Sequence, residues 1–350
     1  MPKYELMPRE RVIEAFALRE PDRVPWIELE VEQIVFDKIL ENPHRPIDIP
    51  LGLYNRDVEE EKAFSRKVGK DSILYSFRPP IFCDFHKGAD GIIYYGDGHI
   101  KSRDDLKKMD FPDPEDKSFF KPAKDFVKKK DEFAALATTR LGFAAAYLSI
   151  GMMEFFTLLY DDLEFVMEVM DRYTRWLSRV MEIVSNIGFD VVSASDDMAM
   201  KSGPMISPQM IDEHFIPKML KVVESIGVPW FTHSDGNMLP MMDIWLKLGQ
   251  NGIHPIEPEA MDIRLVKKEY GSRVCLIGNV DVDLLSTGTP DEIEKVVREL
   301  ICDLAPGGGY ILSSGNSIPS YAQVENVIAM GQALKEYGRY PIYSKVAGGR

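Results

Sequence analysis

Short apolar runs alternate with helix-like segments through the second half of this sequence, and each run stops at a polar or charged residue. Residues 190–193 lead to Asp197, 230–232 to His233-Ser234-Asp235-Gly236, and 252–256 to Glu257. Residues 274–277 lead to Asn279 and Asp281, and 310–312 to Asn316. Unbroken apolar runs suit strands covered on both faces, and polar residues where such strands stop are the pattern of a parallel β/α barrel. Ahead of these units, 133–137 is strand-like and 142–151 is a run of small residues. An amphipathic helix follows over 162–187, with Phe165, Val169, Met170, Tyr173, Trp176 and Leu177 on one face.

The first 130 residues are less regular. The pattern predicts a helix over 8–19, a strand over 24–28, a charged helix over 58–68 and a strand over 72–77 stopped by Pro79-Pro80. A further strand is predicted over 91–95, and 101–130 reads as an elaborated loop with a surface helix. Ser207-Pro208 and Thr289-Pro290 mark helix starts, an N-cap followed by a first-turn proline. Eight plausible strands result, and the expectation is a single (β/α)8 TIM barrel over 1–350. Residues 1–130 form an N-terminal elaboration with the first strands, and 131–340 the regular units. An open dinucleotide-binding sheet is disfavoured because no glycine-rich turn follows the first strand. Gly307-Gly308-Gly309 comes before a strand rather than after one, so it predicts a tight turn on the stability face of the barrel.

Composition narrows the function. With 45% hydrophobic and 28% charged residues over 350 positions, the chain is globular. A formal charge of −14 argues against nucleic acid, which needs a basic face. Cys83, Cys275 and Cys302 are too few and too scattered for a disulfide framework or a CxxC metal knuckle. Residues 1–11 are largely polar and no stretch is apolar enough to span a bilayer, so the expectation is a cytoplasmic protein without a membrane partner.

The sharpest local signal is His233-Ser234-Asp235-Gly236, a strand-end imidazole with a carboxylate two residues on. Asp196, Asp197, Glu257, His254 and Asn316 are expected at the same end of the barrel. Carboxylates gathered there would repel one another without a cation, so a metal or charged ligand is expected in the mouth. Tyr147, Met152, Trp230 and Phe231 are candidates for an apolar wall, and Asn279 for a polar contact. Arg78, Arg140 and Lys201 are the conspicuous cations near strand ends, and an acid substrate would need them.

At these residues the chain resembles the uroporphyrinogen decarboxylase superfamily. The resemblance is carried by Pro8-Arg9-Glu10-Arg11, Pro21-Asp22-Arg23-Val24-Pro25, Ser195-Asp196-Asp197-Met198-Ala199, Ser202-Gly203-Pro204 and His233-Ser234-Asp235-Gly236-Asn237. It continues in Gly252-Ile253-His254-Pro255-Ile256-Glu257-Pro258, Ile277-Gly278-Asn279-Val280-Asp281 and Ser313-Ser314-Gly315-Asn316-Ser317-Ile318-Pro319. The resemblance implies a single β/α barrel. The porphyrin decarboxylases carry an Arg-Gln-Ala-Gly-Arg loop after the first strand and an essential aspartate after the next. Here those stretches read Trp26-Ile27-Glu28-Leu29-Glu30-Val31-Glu32 and Leu74-Tyr75-Ser76-Phe77-Arg78-Pro79, an acidic wall to an octacarboxylate.

The superfamily also contains zinc-dependent methyltransferases that work with a corrinoid protein, and the resemblance implies that branch. Thiol-methylating members bind zinc through a histidine and two cysteines. This chain keeps His233 but has Asp235 and Asn316 in the cysteine positions, so a methyl ether or amine donor is implied instead. The implied metal ligands are His233 and Asp197 with Asp212 or Asp235, and Asp235 or Glu257 is the alternative general acid. His254, Asn279 and Asn316 join Tyr147, Met152 and Trp230 as implied substrate contacts. The implied partners are zinc, a corrinoid (cobalamin) protein, a small methyl donor and a second copy of the chain in a homodimer. The competing expectation is a cofactor-free decarboxylase or lyase acting on a small carboxylated substrate.

Overall fold

The computed structural model of the protein describes residues 5–88 and 92–343. Residues 1–4 of the polar N-terminus, and Gly91 at the start of the strand predicted over 91–95, lie outside the described residues. Seven parallel strands pair in chain order: Ser72–Ser76, Ala134–Thr139, Val191–Ser195, Trp230–His233, Gly252–His254, Cys275–Ile277 and Tyr310–Ile311. The predicted strand over 24–28 fills the eighth position. Trp26 pairs in parallel with Leu312 on one side. On the other side its carbonyl accepts from Asp71 N at 2.8 Å, directly before the first sheet strand. The ring is thereby joined all the way round, as a parallel barrel requires.

Side chains alternate across each strand, which separates two cores. Ile27, Leu136, Val191, Phe231, Ile277 and Ile311 form the inner cluster. Their neighbours Trp26, Val192, Trp230, Ile253, Leu276 and Tyr310 belong to the larger cluster beneath the helices. The helix Pro8–Phe16 closes the N-terminal end of the barrel, because Val12, Ala15 and Phe16 join the inner cluster. The Phe16 ring stacks on Phe231 with centroids 5.7 Å apart. This helix is shorter than the 8–19 expected, since Leu18 turns the backbone to φ 58°.

The remaining elements follow their local signals. The charged helix Val58–Val68 is capped by Asp57, which accepts from Glu59 N. Leu163–Asn186 buries all six residues predicted for its apolar face. Within 101–130 lie a 3-10 turn, Arg103–Lys108, and a helix, Lys121–Lys128. Thr289 and Glu292 form a reciprocal capping box for Pro290–Leu304. The triple-glycine turn sits at the closed end, where a Cβ on Gly308 would lie 2.5 Å from the Arg19 backbone. Two strands run further than the sequence suggests: the third continues to Ser195, and His233 is the last residue of the fourth rather than the first after it. Parallel pairing of Ser195 with His233, and of His233 with His254, keeps these polar ends in the ladder. Among the described residues no single helix is long and apolar enough to cross a membrane.

Candidate active site at the barrel mouth

The alternation that builds the inner core also decides what reaches the open end. From the inward-facing Val191 the same parity leads through Ser193 and Ser195 to Asp197, and from Phe231 through His233 to Asp235. It leads from Leu136 to Arg140, directly after the second strand. Asp196 has the opposite parity. It is fully buried, and its two oxygens each accept at 2.6 Å, from Leu141 N and Ala144 N, at the start of the helix Phe143–Ile150. Burial pushes its carboxyl up to about 6. The adjacent acids of the sequence therefore divide, Asp196 fixing a helix and Asp197 facing the mouth.

Asp197, His233 and Asp235 come together. His233 Nε2 lies 3.6 Å from Asp197 Oδ1 and 3.7 Å from Asp235 Oδ1. One ligand atom from each fits within a 4.8 Å span. Asp235 Oδ1 is buried with no hydrogen-bond partner, while Oδ2 accepts from Asn316 Nδ2 at 2.7 Å. Burial, and then the charges of Asp197 and Glu257, push the Asp235 carboxyl up to about 8. A nitrogen and two carboxylates with an orphaned oxygen suit a borderline cation such as zinc.

His233 is held from behind. Its Nδ1 is 2.8 Å from Nδ1 of His254, so one ring donates and the other accepts, and His254 Nε2 lies 3.3 Å from Ser313 Oγ. Burial lowers the affinity of both rings for a second proton, in His233 against the pull of Asp197 and in His254 with the added push of His233. With Nδ1 occupied, Nε2 is the nitrogen presented to Asp197 and Asp235. Glu257 holds the loop after the fourth strand, its Oε2 accepting from Gly236 N at 2.8 Å, with Lys201 3.8 Å from Oε1.

Other predicted residues lie outside the Asp197, His233 and Asp235 group. Asp212 is outside the group: the turn Ile211–Phe215 carries it into the helix layer, where Lys247 Nζ meets its two oxygens at 2.6 and 2.7 Å. Trp230 opens its strand, so it sits at the end away from the mouth, and its parity points it into the outer core. Met152 is 41% exposed at the start of a helix. Tyr147 is buried, and burial followed by the charge of Asp197 raises the pKa of its phenol. Asn279 Nδ2 donates to Ile256 O at 2.6 Å.

The expected acidic wall is also engaged. Glu28 accepts from Trp26 Nε1, Ser314 N and Ser314 Oγ, and Glu30 pairs with Arg78 at 2.8 Å. Sequence reasoning missed Tyr95, whose hydroxyl is buried without a partner. It lies on the strand Ile93–Gly98, where an aromatic residue carries no signal beyond strand propensity.

The family model for uroporphyrinogen decarboxylase (URO-D) matches residues 84–337. A uroporphyrinogen decarboxylase of Pseudoalteromonas translucida is 26% identical over 144 residues, 39% of this chain and 39% of that protein. One from Coxiella burnetii is 20% identical over 259 residues, 68% of each. The chain thus spans about two fifths of the length of the Pseudoalteromonas relative that it matches. Among solved structures, a methyltransferase from Methanosarcina mazei superposes with a TM-score of 0.76 at 18% identity, covering 95% of this chain and 99% of that one. That likeness establishes the shared fold. The chain belongs to the uroporphyrinogen decarboxylase family.

Proposed function

We propose that this member of the uroporphyrinogen decarboxylase family is a methyltransferase that takes a methyl group from a small methylated donor, an ether or an amine, and delivers it to a corrinoid carried by a partner protein. The observation that carries the reading is the convergence of Asp197, His233 and Asp235 around an unpartnered buried oxygen. These three residues would hold zinc. When bound, zinc supplies Lewis-acid stabilisation of the charge that builds on the departing oxygen or nitrogen.

The chain's own residues do the rest. His254 orients His233 through their Nδ1 atoms, and Asn316 fixes the rotation of the Asp235 carboxyl. Glu257 pins Gly236 and with it the loop that carries Asp235. Without the metal, Asp235 keeps its proton at neutral pH and sits where it can hand that proton to a leaving group. The test is metal content by elemental analysis, followed by methyl donors with Co(I) corrinoid protein. Stoichiometric zinc that His233→Ala loses, together with a methylcobalt spectrum, is the expected result. A wild-type protein that takes up no zinc and gives no methylcobalt with any donor overturns the reading.

The second reading, decarboxylation of a small acid without a cofactor, draws its support from the two arginines at the mouth, Arg78 and Arg140. Carbon dioxide release from a candidate acid by metal-free protein would select it.

A further inference from the structure

Arg140 is poorly partnered for a buried cation. It is 6% exposed, yet among the described residues no carboxylate oxygen comes within 4.0 Å of its guanidinium. Its Nη1 makes one long hydrogen bond, to the Ser195 carbonyl at 3.5 Å, and Nε has no partner among the described residues. A guanidinium carries five donors and stays charged in proteins, so burying one with its Nε unpartnered is costly. It follows the second strand at the same end of the barrel as Asp197 and His233. Tyr95, Asp196, Tyr147 and Asp197 are the groups close enough to act on its charge, and Arg140 in turn acts on His233. The buried hydroxyl of Tyr95 also lacks a partner.

Two unmet donors, one of them cationic, thus lie near one another at the end of the barrel that carries Asp197, His233 and Asp235. We infer that Arg140 and the Tyr95 hydroxyl form an anion subsite that receives a carboxylate of the substrate while its reacting group lies at Asp197, His233 and Asp235. The inference rests on the proposed reading in taking this mouth as the active site, and it deepens that reading by naming the substrate class as a carboxylate-bearing methyl donor. A carboxylate is favoured because its two oxygens match the planar fork of a guanidinium, with the phenol left to donate to either oxygen. Arg78 contributes positive charge nearby but is tied to Glu30, so it steers more than it binds.

The subsite is tested by calorimetry on the purified full chain with 4-methoxybenzoate and methoxybenzene, without corrinoid protein. The carboxylated probe is expected to bind ~10- to 100-fold more tightly, the range of one charge-assisted contact. Arg140→Met should erase that preference, and Tyr95→Phe should reduce it a few-fold while leaving the fold intact. Equal affinity for the two probes, no binding of the carboxylate, or an undiminished preference in Arg140→Met overturns the inference. Because calorimetry reads binding alone, a failed methyl transfer with an intact carboxylate preference would overturn the activity and leave the subsite standing.

Discussion

Two buried arginines at opposite ends of the barrel are treated in opposite ways. At the closed end Arg11, 3% exposed, meets Asp22 at 2.7 Å and Asp71 at 2.6 Å and also donates to the Leu6 carbonyl. At the open end Arg140, 6% exposed, has one long bond to a carbonyl. The same contrast runs through the neighbouring groups. Asp71 accepts from Arg11, Arg23 and Trp26 N, whereas Asp235 leaves one oxygen unpartnered. Burying a charge without partners is costly, so the fully paired arginine reads as one that holds the closed end together and the poorly paired one as a group left open to a ligand.

The strongest way to break this comparison is to exchange the arginines for apolar residues. Arg11→Leu removes the cation shared by two buried aspartates, leaving Asp71 to Arg23 and Trp26 N, and is expected to cost about 3–5 kcal/mol in urea denaturation. Arg140→Met removes a charge that no carboxylate among the described residues touches directly, although Asp196 and Asp197 act on it at longer range, so its loss of stability should be well below that at Arg11. A loss at Arg140 as large as that at Arg11 would end the distinction.

Next in size is the pH response of the metal-free protein. The folded-state value of Asp235 lies above its unfolded value, so its contribution is fully present at low pH and lost as pH rises through about 8. His233 and His254 act oppositely: their lowered values weaken the fold as pH falls below about 6.5. Asp235→Asn should therefore gain Tm over the wild type increasingly from about pH 5 to about pH 8. A difference in Tm that stays constant across that window would show that Asp235 is not held protonated.

The smallest effect tests whether pairing or location decides. Thr289 caps the helix that follows the sixth strand and its box is complete, so Thr289→Ala should cost about 1 kcal/mol by thermal denaturation while leaving bound metal unchanged. Asp212→Asn should likewise leave metal content unchanged, in contrast to Asp197→Ala. Loss of metal in Asp212→Asn would return that residue to the site.

The sequence by itself determined the β/α rhythm, the helix starts at Ser207 and Thr289, the buried face of Leu163–Asn186 and the polar strand ends around His233. These are read locally, from period and from capping chemistry. It could not separate Asp196 from Asp197, because which of two adjacent acids faces inward depends on the strand running on to Ser195. Nor could it exclude Trp230 from the mouth, since an apolar residue at a strand start and one at its end look alike in composition. Between the alternatives Asp212 and Asp235, only the folded chain shows Asp212 paired with Lys247, 35 residues away, and Asp235 beside His233, and only it shows the sparse partnership of Arg140. Partnership, burial and the pKa values that follow from them are properties of chain segments far apart in sequence, and they exist only once the barrel has closed.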